Sequence, residues 1–201
     1  MPSSVKGRIF PMIKMLVSLS CAAAAMLALA AVPANAQDAL EGKLQACNAC
    51  HGQNGQPIDK SIPIIWGQTT AYMTKQLHDY RSEDRNNPVM SPLAGMIKPE
   101  EWRKVANHFA AKPWPAKQAA AGPAPAAPPE EKIKVCRICH QQNFEGGLPA
   151  PRLAGQSYEY LVGAMQSFAD DKRNNSQDMQ TLMKMLTAQE RDAIAKWLAA
   201  L

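Results

Sequence analysis

Large aromatic side chains are scarce in this chain of 201 residues: four Trp, four Tyr and four Phe, 6% in all. Charge is low as well, at 19% Asp, Glu, Lys and Arg, which excludes a solvated acidic tail, and the 46% apolar content is that of a chain that folds. Long apolar runs are missing apart from Met15 to Val32, so a multi-span membrane protein is excluded. An excess of one charge is also absent once the N-terminal segment is set aside. The 22 basic residues lose Lys6, Arg8 and Lys14, leaving 19 against 17 acidic ones, too little to hold a nucleic acid. No cysteine is left over for a disulfide: four of the five fall into two identical patterns, and the fifth, Cys21, lies in that same N-terminal segment.

Arg8 and Lys14 precede the apolar run, which is followed by Pro33, by Ala34-Asn35-Ala36 and by the polar Gln37-Asp38. This is the pattern of an export signal, residues 1–36, cleaved after Ala36. An uncleaved membrane anchor is the alternative, because 18 apolar residues reach the lower length of a span. Ser18-Leu19-Ser20 lacks the leucine that a lipid-anchored Cys21 would need three residues upstream. Export puts the remainder in the periplasm, an oxidising compartment in which free thiols need a reason to persist.

The exported part is a duplication. Cys47-Asn48-Ala49-Cys50-His51 aligns with Cys136-Arg137-Ile138-Cys139-His140, and Pro63, Gly67, Gln68 and Tyr72 align with Pro151, Gly155, Gln156 and Tyr160. Arg85-Asn86-Asn87 then meets Arg173-Asn174-Asn175, Met90 meets Met179, and Leu93 meets Leu182. Between the copies, residues 112–131 hold six Pro and seven Ala, a composition that builds no core and predicts a semi-rigid spacer. The organisation expected is therefore a first domain over 37–111, a linker over 112–131 and a second domain over 132–201.

Both halves read as all-α. Met73, Leu77 and Tyr80 recur with helical spacing, as do Leu161, Met165 and Phe168. Pro99 followed by Glu100 and Glu101 starts a terminal helix, and Thr187 with Glu190 forms a capping box at the start of its counterpart. No period-two alternation competes. Each half is small for a self-sufficient core, so something besides side chains is expected to fill it.

On a helix, residues at i, i+3 and i+4 share a face, so Cys47, Cys50 and His51 can address one flat ligand, and so can Cys136, Cys139 and His140. C-x-x-C-H is the attachment pattern of haem c: two thioether bonds from the cysteines, with the histidine on the iron. Covalent attachment also accounts for thiols that persist after export. Zinc would need four ligands close together, and a thioredoxin-type site would need a strand next to the motif; neither condition is met. Two haem c groups are expected.

The sixth iron ligand separates electron transfer from chemistry at an open iron. Met90 and Met179, each about 40 residues after its motif in what reads as an irregular stretch, are the leading pair, and Met96 with Met185 is the runner-up. His78 and His108 have Gln166 and Trp197 opposite them in the repeat and read as solvated helix-face residues. The carbonyls of Pro63 and Pro151 are placed to accept the ring N–H of the haem histidines. Gly67 and Gly155 read as tight bends, and Gln68 and Gln156 as polar loop residues without chemistry. For Arg85 and Arg173 two readings stand open, pairing with haem propionates or solvent exposure.

With these motifs the sequence resembles the class I dihaem cytochromes c, and most closely the cytochrome c4 family. The resemblance covers nearly all of the exported part. It implies two helical cytochrome domains packed together, His/Met ligation by His51 with Met90 and by His140 with Met179, and electron shuttling between a cytochrome bc complex and a terminal oxidase. The long linker and the short stretch ahead of Cys136 depart from that pattern and leave the haem-to-haem packing unspecified. A cytochrome subunit of a periplasmic dehydrogenase, such as a sulfide-oxidising flavocytochrome, is the second function, and a peroxidase or gas sensor with an open iron is the third. The expected partners are redox proteins, with peripheral membrane association left open.

Overall fold

A computed structural model describes residues 34–116 and 124–201. The export signal expected over 1–36 lies almost wholly outside the described residues, as does linker segment 117–123. The described residues contain eight helices and no strand. Those of the first repeat are α1 (Ala34–His51), α2 (Thr70–Arg81), α3 (Met90–Gly95) and α4 (Pro99–Ala110). Those of the second are α5 (Glu130–His140), α6 (Tyr158–Ala169), α7 (Gln177–Lys184) and α8 (Ala188–Ala200). No described helix is long and apolar enough to cross a membrane.

The local signals place the helix starts. Pro99 takes the first turn of α4, where its missing N–H costs nothing, and Glu101 reaches back to accept from the Lys98 N–H at 2.9 Å. Thr187 accepts from the Glu190 N–H while Glu190 accepts from that of Thr187, the reciprocal pair expected from their spacing. One element departs from the sequence reading. Met90 and Met179 lie not in irregular chain but in the short helices α3 and α7; the Met90 N–H donates to Asn87 Oδ1, three residues before it, and the Met179 N–H to the N-cap Ser176. Six and eight residues are too few for a hydrophobic period to register. The short approach to Cys136 also holds a helix, α5, whose first two residues fall within the expected linker.

In each repeat the helix after the Gly-Gln turn packs on the terminal helix, α2 on α4 and α6 on α8. The first core gathers Leu44, Met73, Ile97, Val105 and Phe109; the second gathers Ile133, Phe144, Leu161, Phe168 and Leu198. Full burial of such a side chain contributes about 1.5–3 kcal/mol. The repeats have diverged in how they tie the loop before the terminal helix. Trp102 donates its indole N–H to the Ile97 carbonyl in the first, while Arg191 donates to the Met183 and Leu186 carbonyls in the second.

Both repeats belong to one compact unit, Leu40–Leu201. The start of the linker packs on this unit, where its composition predicts a semi-rigid spacer that builds no core. Trp114 passes over both tight bends: a Cβ added at Gly67 (φ +68°) would lie 2.9 Å from the Trp114 backbone nitrogen, and one at Gly155 (φ +73°) 3.0 Å from its indole nitrogen. The Arg152 guanidinium stacks on the Trp114 ring at 4.6 Å, and the Gln56 amide donates to the Ala116 carbonyl at 3.2 Å. Trp114→Ala is expected to cost about 2 kcal/mol in guanidinium unfolding, below the full value for a core Trp because the ring is half-buried.

Candidate haem centres

Helices α1 and α5 end at the two C-x-x-C-H motifs, so the thiols and the imidazole of each come off one last turn. The four motif cysteines are unpaired, as four thioether bonds, two to each haem, would require. His51 and His140 are buried, at 6% and 5% exposure. Each uses Nδ1–H to donate to a carbonyl, His51 to Pro63 and His140 to Pro151, both at 2.8 Å. That bond fixes the tautomer and leaves Nε2 with its lone pair. Burial pushes both imidazoles below their ordinary pKa, against the opposing effect of the carbonyl bond, so the neutral form that ligates a metal prevails.

The two methionine pairs are placed differently. Met96 and Met185 are 68% and 73% exposed at the ends of α3 and α7. Met185 rims a cleft of about 160 Å³ shared with Cys136, Leu182 and Leu186. Met90 and Met179 are half-buried, and Met179 packs against the second core. Met183, which has no methionine counterpart, is a core residue at 3% exposure. His78 is exposed beside Asp79, and His108 is half-buried with its ring against Phe109, so neither is a buried ligand.

Of the two readings for Arg85 and Arg173, solvent exposure is set aside by the surface between the repeats. Arg85 donates to Tyr160 Oη at 3.2 Å and Arg173 to Tyr72 Oη at 3.1 Å, so each reaches the tyrosine of the other repeat. Both also donate to one atom, Gln76 Oε1, at 2.7 and 3.0 Å. Arg173 is 7% exposed, and no ion pair to a carboxylate holds either guanidinium among the described residues. Two like charges that meet on one amide oxygen call for an anion. The same field acts on Tyr160: burial pushes its phenol up, but the two guanidiniums outweigh burial and bring it down to about 7. The Tyr72 phenol, where burial dominates, is raised. Carboxylates brought in by haem are the chemistry this cluster fits.

The two glutamines read as inert loop residues are corrected outright. Gln68 and Gln156 are each 3% exposed and clamp the partner repeat's backbone. Gln156 accepts from the Ile64 N–H at 2.8 Å and donates to the Ile64 carbonyl at 3.0 Å; Gln68 does the same to Arg152, at 2.7 and 3.0 Å. The only signal in the sequence was their identity across the repeat, since a polar residue after Gly reads first as turn.

Paired C-x-x-C-H turns, buried histidines oriented by carbonyls and an all-helical tandem repeat define a dihaem c-type cytochrome of class I. Comparison with known proteins agrees. The cytochrome c family profile matches residues 132–201. A thiosulfate dehydrogenase electron acceptor from Stutzerimonas stutzeri is 32% identical over 77% of this chain and 78% of that protein. Cytochrome c4 from Pseudomonas aeruginosa is 28% identical over 83% of the chain and 90% of that protein. The solved cytochrome c4 of Acidithiobacillus ferrooxidans superposes with a TM-score of 0.68, at 25% identity, over 78% of this chain and 99% of that one. The chain belongs to the same family of dihaem c-type cytochromes as that electron acceptor and is similar to cytochrome c4; it is an electron carrier with two haem c groups rather than an enzyme.

Proposed function

We propose that the chain works in the periplasm as a single-electron carrier reduced by a dehydrogenase. Cys47, Cys50, Cys136 and Cys139 hold the haems, while His51 with Met90 and His140 with Met179 hold the irons. Haem supplies a one-electron iron couple, and the protein fixes the ligands and keeps solvent off them. The observation that carries the ligand set is the contrast in burial between the two methionine pairs. A saturated iron favours transfer over catalysis, which argues against a peroxidase or gas sensor.

The relative named as the electron acceptor of thiosulfate dehydrogenase supports the dehydrogenase as donor. A cytochrome bc complex donating, with a terminal oxidase accepting, is the route that the sequence resemblance put first. The two are separated by stopped-flow reduction of the oxidised protein. Reduction within the mixing experiment by catalytic thiosulfate dehydrogenase with thiosulfate, at a rate that saturates with carrier concentration, is the expected result. Fast reduction only by a bc complex with quinol would return the function to the respiratory route.

A further inference from the structure

The glutamine clamp lands on a particular bond. The Pro63 carbonyl and the Ile64 N–H belong to one peptide group. Its oxygen accepts from His51 Nδ1–H at 2.8 Å, and its N–H donates to Gln156 Oε1 at 2.8 Å. The repeat reproduces the arrangement with the roles exchanged: the Pro151–Arg152 peptide accepts from His140 at 2.8 Å and donates to Gln68 Oε1 at 2.7 Å. Each glutamine oxygen is pinned by the backbone N–H of its own next residue, Thr69 or Ser157, at 3.0 and 2.9 Å.

We propose that Gln156 and Gln68 are crossed positioning residues, each tuning the haem histidine of the opposite repeat through the peptide group that joins them. This rests on the reading of His51 and His140 as iron ligands, and on neither candidate donor. A peptide whose N–H is engaged carries a more negative oxygen, since hydrogen bonds in a chain polarise one another in a low dielectric. A more negative Pro63 oxygen draws the His51 Nδ1 proton further and makes Nε2 a stronger donor. Stronger donation favours the oxidised iron, so Gln156 holds down the potential of the first repeat's haem while belonging to the second. The second amide contact, to the Ile64 carbonyl, locks the geometry, and 3% exposure keeps water from replacing the glutamine.

The test uses the full holoprotein carrying Gln156→Leu, Gln68→Leu or Gln156→Glu. The chain has four histidines, so selective ¹⁵N labelling resolves the His51 and His140 ring N–H signals. The expected pattern is crossed. Gln156→Leu moves the His51 Nδ1 proton to higher field and leaves that of His140 in place; Gln68→Leu does the reverse. One of the two redox couples shifts upward in each variant, by up to about tenfold in its equilibrium constant, or 59 mV for one electron. Gln156→Glu, which keeps an acceptor oxygen at the same reach, restores the His51 signal. Shifts at the histidine of the substituted residue's own repeat, equal shifts at both, or none at either would overturn the relay. The ring ¹⁵N signals of the unaltered holoprotein are recorded first: His51 and His140 signals no different from those of His78 and His108 would count against the ligand reading itself, while iron-shifted signals with an uncrossed pattern in the variants would count against the relay alone.

Discussion

Met179→Ala is expected to turn one of the two reduced haems into a carbon monoxide binder, while the unaltered protein shows no spectral change with the gas. Alanine cannot reach an iron, so without the thioether the haem iron would be five-coordinate and open to small ligands. The change amounts to half the haem absorbance in a titration. The potential of that haem should also fall, because methionine ligation raises it. Met179 packs against the second core, so the variant should lose about 2 kcal/mol of stability besides, at the lower end for Met→Ala at a core site. Met185→Ala is the control. Its side chain is 73% exposed, so stability, spectrum and potential should stay as they were. Carbon monoxide binding after Met185→Ala and not after Met179→Ala would exchange the two residues' roles and reopen the same question for Met90 and Met96.

The parts of this molecule that could be read from sequence are those with a local physical signature. The C-x-x-C-H motifs announce themselves because their spacing matches a helical turn, and α2, α4, α6 and α8 announce themselves through a sustained apolar period and their starting residues. The Pro63 and Pro151 contacts could be anticipated because a buried haem histidine needs an acceptor. What was not legible lies between the repeats. Gln68, Gln156, Tyr72, Tyr160, Arg85 and Arg173 act on partners 75 to 101 residues away, and no pattern within one repeat says that a polar side chain will face the other. Trp114 was hidden in a segment whose Ala/Pro composition argued for a semi-rigid spacer with no part in a core. Duplication offered one usable hint: these polar residues are kept in both copies, and local helix or turn propensity does not require it.

The paired arginines carry the second large expectation. Arg173→Met should destabilise the holoprotein by about 1–3 kcal/mol, the cost of leaving buried acceptors without their donor. The partners here are specific. Tyr72 Oη and Asn175 Oδ1 each lose a donor, and Gln76 Oε1 keeps only Arg85 and the Asn175 amide. The loss should also register at a distance from the substitution. With one of two guanidiniums gone, burial is opposed by less positive charge at Tyr160, so its phenol, held near pH 7, should move back up. For an acid held below its unfolded pKa, the associated stability is present above the unfolded value near 10 and is lost as pH falls through the folded value near 7. The unaltered protein should therefore gain stability across that window relative to Arg173→Met, which denaturant midpoints at pH 6.5, 8 and 9.5 would show as a widening gap. A constant gap would mean that haem carboxylates, rather than the Tyr160 phenol, balance the two guanidiniums at every pH, so that the arginines serve wholly as the anchor for the cofactor. Either slope assigns the counter-charge at the surface where the two repeats meet.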